Sequence, residues 1–154
     1  MQADNLVPNL VKKLKLPKNA MVADLGCGDG HDVLALQKMG YKSAYGFDLK
    51  PTKFKNFVKK DFFHLSGQWD LLLVLCATNN YHQIAVSLLL EKLKKNLNAK
   101  GYLYLVVPTK TSKDYKKAVK FFKLLEQKTF RVEDNHPPLG KHRHFLTSFL
   151  LQNI

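Results

Sequence analysis

The stretch Val22-Ala23-Asp24-Leu25-Gly26-Cys27-Gly28-Asp29-Gly30 constrains this chain more than any other. An apolar lead-in ends on an acid, and three glycines then alternate over five positions before a helical pattern opens at His31. Glycines at that spacing let the backbone turn tightly from strand to helix and let a ligand approach the main chain. A glycine turn alone would be an ordinary strand–turn–helix. Here a second acid, Asp48, closes the next apolar run, Ala44-Tyr45-Gly46-Phe47. An acid at the tip of a second strand is placed to hydrogen-bond ribose hydroxyls, which suits an adenosine cofactor.

The glycine spacing sorts the adenosine cofactors. A dinucleotide fingerprint, Gly-x-Gly-x-x-Gly, needs its third glycine at position 31, which is His31; here the third glycine is Gly30, one residue early. A phosphate-cradling loop needs a Gly-Lys-Ser/Thr ending, which the stretch lacks. The run Asp24 to Gly30 instead resembles the first motif of the class I S-adenosylmethionine-dependent methyltransferases. The resemblance implies S-adenosylmethionine as cofactor. Asp24, Gly26, Gly28 and Gly30 would then hold its amino-acid end, with Cys27 inside the same loop. Asp48, followed by Leu49, would take the ribose, and Asp61 with Phe62 the adenine.

At 154 residues one domain is expected over 1–154, and 45% hydrophobic residues suffice for a globular core. The formal net charge of +13 favours a polyanionic partner, RNA, DNA or an acidic protein surface, unless it reflects only a lysine-rich background. Two cysteines, Cys27 and Cys76, have no metal-ligand spacing and suit a reducing compartment. The first residues show no secretory pattern, and the longest apolar run, residues 71–77, is too short for a bilayer span. An intracellular, soluble monomer is expected, cytoplasmic or, in a eukaryote, nucleolar, with no membrane and no metal.

Taken in order, residues 4–15 have helical spacing up to Pro17, and residues 21–24 form strand one. A helix over 31–39 closes at Gly40, and strand two covers 44–48. Only about eight residues then precede the next strand-like run, 57–60, where a parallel crossover normally needs a dozen or more and a helix. An abbreviated crossover is expected. Residues 69–77 read as a central parallel strand buried on both faces. Asn79, Asn80 and Tyr81 leave its carboxyl end, where ligands of open α/β sheets sit, and are the candidates to line the transfer site.

A helix over 83–97, a strand over 102–107 and a helix over 113–127 follow. Lys113, Lys116, Lys117, Lys120 and Lys123 stripe that last helix, either as a solvated face or as phosphate contacts. Strands over 128–133 and 144–151 complete the pattern. The loop 134–143 between them carries His136, Lys141 and Arg143 and should lie on the ligand side as a substrate surface. His142 and His144 share a strand face but have no third ligand in view. The whole predicts an α/β fold: a Rossmann-like class I methyltransferase sheet, parallel with an antiparallel last strand.

Within that superfamily the combination looks like the nucleomethylin family of ribosomal RNA adenine N1-methyltransferases. The carrying residues are 22–29, Phe47-Asp48-Leu49, the missing crossover helix, Asp61, and 112–121. The resemblance implies methyl transfer to an adenine ring nitrogen. Asn79 and Asn80 are candidate catalytic residues from their place at the strand's carboxyl end alone; they match no motif of that family and do not form the Asn-Pro-Pro-aromatic run of exocyclic amine methyltransferases. Two other readings stay open. One is a small-molecule methyltransferase; the other is a methyltransferase-fold module that only binds.

Overall fold

The computed structural model describes residues 5–77, 83–136 and 140–154, and for residues 83–85, 117–118, 133–136 and 140–144 the backbone alone. Among these, seven strands form one sheet: β1 (Val22–Leu25), β2 (Ala44–Asp48), β3 (Phe57–Lys59), β4 (Trp69–Leu75), β5 (Leu97–Pro108), β6 (Lys123–His136) and β7 (Gly140–Gln152). Their order is β3-β2-β1-β4-β5-β7-β6. The first five run parallel, while β7 lies antiparallel between β5 and β6. This is the expected Rossmann-like sheet with its antiparallel last strand.

Burial follows from that order. In β4, Leu71, Leu72, Leu73 and Val74 are all fully buried, as a central strand covered on both faces must be. Alternate residues serve two cores. One face, with Leu71, Leu73, Tyr104 and Leu150, packs on α1 (Leu6–Lys13) and α2 (His31–Lys38) through Val7, Leu10, Val11, Val33 and Leu36. The other, with Leu72, Val74, Leu105 and Phe149, packs on α3 (Gln83–Lys95) through Leu89, Leu90 and Leu93 and on α4 (Ser112–Ala118) through Tyr115. Among the described residues no helix is long and apolar enough to cross a membrane.

Two crossovers lack an α-helix. Residues 49–56 join β2 to β3 without one, as the chain length requires, and a 3₁₀ turn (Phe62–His64) lies between β3 and β4. Asn56 makes the first turn possible. It adopts a φ of +67°, and its Nδ2 donates to the carbonyls of Lys42 (2.9 Å) and Ala44 (3.1 Å). Aromatic side chains take over the covering of the sheet. Trp69 meets Tyr45 and Phe47 edge-on at 5.7 and 5.6 Å, and its indole N–H donates to the Ser66 carbonyl at 3.0 Å.

The C-terminal third differs from expectation. The helix expected over 113–127 stops at Ala118, a 3₁₀ turn (Val119–Phe121) follows, and β6 begins at Lys123. Residues 123–127 have helical spacing but pair with β7 from Lys123↔Gln152 onward, with a register shift between Leu124 and Glu126. Ladder pairing overrides local periodicity there. The lysine stripe is therefore broken: Lys113, Lys116 and Lys117 lie in α4, Lys120 in the turn, and Lys123 opens a strand. The expected loop 134–143 is also mostly strand, since Asp134, Asn135 and His136 pair with His142, Lys141 and Gly140.

Candidate functional site

The glycine stretch becomes the turn from β1 into α2, built almost wholly from main-chain bonds. Gly26 N and Cys27 N both donate to the Phe47 carbonyl, at 2.8 and 3.1 Å, and Gly30 N donates to the Cys27 carbonyl at 2.9 Å. Gly30 has a φ of +82°, and a Cβ there would sit 2.3 Å from the Phe54 ring, so only glycine fits. Gly28 has a φ of +55° but a Cβ there would meet nothing within 4 Å. The tip of the turn faces open space, where a ligand can reach the backbone.

Asp48 ties this turn to the end of β2. Its Oδ2 accepts from Gly28 N at 2.9 Å and its Oδ1 from Lys50 N at 2.8 Å. Each carboxylate oxygen keeps a lone pair for a further donor such as a ribose hydroxyl. Leu49, the next residue, is 63% exposed. One strand over, Lys60 N donates to the Asp48 carbonyl at 3.1 Å, so Asp61 follows directly at the same edge. Asp61 caps the 3₁₀ turn, its Oδ1 accepting from Phe63 N at 2.9 Å. Phe62 lies half-buried, its ring stacked on Phe63 at 5.7 Å.

The electrostatics of the turn favour a cation. Asp24 is only 3% exposed, at the end of β1 just before the glycine turn. Burial first, then the charges of Asp32 and Asp48, push its pKa up to about 8. The Cys27 thiol, packed against Gly46, is pushed up to about 12, again by burial and then by Asp24 and Asp48. Cys27 thus serves the loop through its main chain and its packing.

The structure therefore gathers Asp24, Gly26, Cys27, Gly28, Gly30, Asp48 and Leu49 at the carboxyl ends of β1 and β2, with Asp61 and Phe62 just beyond β3. Asn79, Asn80 and Tyr81 lie outside the described residues. His136, Lys141 and Arg143 are not part of this cluster; they sit in the β6–β7 hairpin, opposite Gly140, Asn135 and Glu133. Sequence reasoning missed Phe54, whose ring wedges between Gly30 and Gly46. Its only signal was an aromatic residue in an otherwise polar connection. A cleft of about 570 Å³ lined by Leu65, Gly67, Leu88 and Lys92 lies by the start of β4, the end of the sheet away from the glycine turn. No group of three or more His, Cys, Asp or Glu among the described residues is arranged to hold a metal ion.

The methyltransferase domain family matches residues 2–154. The chain belongs to that family. It is a class I methyltransferase, and the methyl donor of these enzymes is S-adenosylmethionine. No curated protein matches the sequence. Several solved structures share its fold. A candidate RNA methyltransferase from Pyrococcus horikoshii aligns with a TM-score of 0.79 at 14% identity, over 99% of this chain and 84% of that one. Magnesium protoporphyrin IX methyltransferase from Synechocystis, with S-adenosylhomocysteine bound, gives 0.76 at 18% identity over 98% and 81%. The 1,6-didemethyltoxoflavin-N1-methyltransferase of Burkholderia thailandensis gives 0.74 at 17% identity over 99% and 80%.

The residues present fit such a cofactor. Gly28 leaves open the space that any Cβ would enter, Asp24 presents a buried carboxylate beside the turn, and Asp48 clamps it through Gly28 N with lone pairs to spare. When bound, S-adenosylmethionine supplies a methyl group activated by a positive sulfonium. The chain's own contribution is an acidic, backbone-lined turn within a strongly basic protein.

Proposed function

We propose that this methyltransferase modifies RNA, with an adenine ring nitrogen as the favoured acceptor, and that residues 1–154 act as a single catalytic domain and a monomer. One observation carries the substrate class. The β6–β7 ladder continues for six residue pairs beyond Pro108↔Leu146, where β5 ends, from Arg131↔Phe145 to His136↔Gly140. That places a hairpin carrying Arg131, Lys141, Arg143 and three histidines, against Glu133 and Asp134, at the carboxyl edge of the sheet, the edge of the glycine turn. Residues 90–154 hold 14 Lys plus Arg against five acids, so positive charge is concentrated in this half. Such a surface suits a phosphate backbone.

In this reading Asp24 and the glycine turn hold the amino-acid end of the cofactor, Asp48 the ribose, and Asp61 with Phe62 the adenine. Asn79 and Asn80 position the acceptor, while Tyr81, His136, Lys141 and Arg143 contact the RNA. The acceptor must lie about 3–3.5 Å from the methyl carbon and in line with the departing sulfur. An adenine ring nitrogen has a free lone pair, so alignment replaces a strong general base. The resemblance of residues 22–29, 47–49 and 112–121 to nucleomethylins supports this acceptor.

A small-molecule substrate is the competing reading, favoured by the two fold neighbours named for protoporphyrin and toxoflavin chemistry. Incubation with methyl-labelled S-adenosylmethionine and separate RNA, protein and metabolite pools decides between them. Label in ribonuclease-sensitive material, recovered as 1-methyladenosine, is the expected result. Label confined to the metabolite pool overturns the RNA reading.

A further inference from the structure

Among the described residues, Lys15, Asn56, Cys76 and Lys100 have a left-handed backbone without being glycine. Lys15 and Lys100 are exposed, and Asn56 is of a type that tolerates the conformation. Cys76, with a φ of +57°, is half-buried at the carboxyl end of β4, the edge of the glycine turn. A strained residue of this kind persists only where the surrounding structure holds it.

Cys76 is held from both neighbouring strands. On the β5 side its N–H donates to the Val106 carbonyl at 2.9 Å. On the β1 side the next residue, Ala77, lies against Gly26: a Cβ on Gly26 would come 2.5 Å from Ala77 Cβ and 3.6 Å from its Cα. Leu25 pairs with Val74, so a straight continuation of both strands sets Gly26 level with Leu75. Ala77 would then pass two residues, roughly 6–7 Å, beyond Gly26. The left-handed residue brings it back. Gly26 N already donates to the Phe47 carbonyl at 2.8 Å, so the start of the glycine turn is held between the tips of β2 and β4. Ala77 Cβ moves only with its backbone, which makes this a rigid brace. Asn79, two residues on, has its Cα within about 7.6 Å of that of Ala77 whatever path the chain takes.

We propose that Cys76 and Ala77 are positioning residues of this methyltransferase: the left-handed backbone at Cys76 sets Ala77 on Gly26, and that contact keeps the glycine turn in the shape that binds S-adenosylmethionine. The inference rests on assigning the glycine turn to the cofactor. A side chain at 76 that abandons the left-handed conformation withdraws Ala77. Apparent cofactor affinity then falls with the fraction of molecules whose turn keeps its shape. Ordinary side-chain packing predicts the reverse ranking at 76, with apolar Val a good replacement and Gly and Asn poor ones.

The test is calorimetric affinity for S-adenosylhomocysteine, with urea unfolding of every variant as a check on the fold and Asp48→Ala as the reference for the cofactor site. Cys76→Gly and Cys76→Asn, which accept left-handed backbone, should bind within about twofold of the parent. Cys76→Val, β-branched and poorly suited to that conformation, should bind roughly tenfold or more weakly. Gly26→Ala should also weaken binding, and adding Ala77→Gly should restore part of the loss. Measured as a cycle with both single variants, that coupling is one that independent sites do not show, and it carries the test should Cys76→Val fail to fold. If Asp48→Ala loses affinity while Cys76→Val keeps it, or if Val binds better than Gly and Asn, the positioning role is overturned and the cofactor assignment survives. If the parent binds no S-adenosylhomocysteine, or Asp48→Ala binds like the parent, the cofactor assignment falls and the positioning role with it.

Discussion

Replacing Asp24 by Asn tests the electrostatics of the cofactor turn. The carboxyl is almost completely buried, and burial, aided by Asp32 and Asp48, moves its pKa from 3.8 in the unfolded chain to about 8. The folded protein therefore retains a proton that the unfolded chain has lost between those values. Stability should fall as pH rises from about 4 to about 8 and be flat outside that window on this account. A gap of that size corresponds to roughly 5–6 kcal/mol at about 1.4 kcal/mol per unit. Asn resembles the protonated acid in shape but never ionises. Urea unfolding of both proteins across pH 4.5 to 8.5, compared as a difference, cancels the groups they share, such as Glu126 in its ion pairs with Lys13 and Lys128. The two should be nearly equal at the acid end, and the Asn variant more stable by several kcal/mol at the alkaline end. Affinity for S-adenosylmethionine should show the opposite order, since a cationic ligand favours the carboxylate. Stabilities that track within about 1 kcal/mol over the whole range would refute a desolvated Asp24.

Asp48→Ala should weaken cofactor binding by roughly 1–3 kcal/mol in calorimetry, through loss of charge-assisted hydrogen bonds; unchanged affinity removes the ribose assignment. Gly30→Ala should cost about 2 kcal/mol or more in denaturant unfolding, because its Cβ meets the Phe54 ring, and Phe54→Ala should recover part of that loss. Gly28→Ala, whose Cβ enters open space, should cost only about 1 kcal/mol of stability. It should nevertheless lower cofactor affinity at least tenfold, so the two glycines separate packing from binding. Reversing Lys141 and Arg143 to Glu should abolish RNA binding and leave cofactor affinity nearly unchanged, whereas reversing Lys116 and Lys120 should do less. Parent-like RNA binding by both double variants at low salt would make the basic surface one of solubility alone.

Local chemistry determined the first two-thirds of this protein. The run from Val22 to Gly30 announces a strand, a turn and a helix because glycine spacing and apolar periodicity act over a few residues. The abbreviated crossover was legible for the same reason: residues 49–56 are too few for a helix together with the two connections a parallel crossover needs. Asp48 was legible as a strand-tip acid, although its clamp on Gly28 N was not, because that bond joins positions twenty residues apart. Only the tertiary structure decided the rest. Residues 123–127 carry a helical pattern and become strand because β7 offers a continuous ladder, a partner no local window contains. The same pairing turned the expected loop 134–143 into a projecting hairpin and broke the lysine stripe. Phe54 supports the glycine turn and Trp69 covers the face where crossover helices are absent, each through contacts set by strand order. Burial raised Asp24 from an ordinary acid to one that holds its proton near neutrality, and burial belongs to the folded chain as a whole.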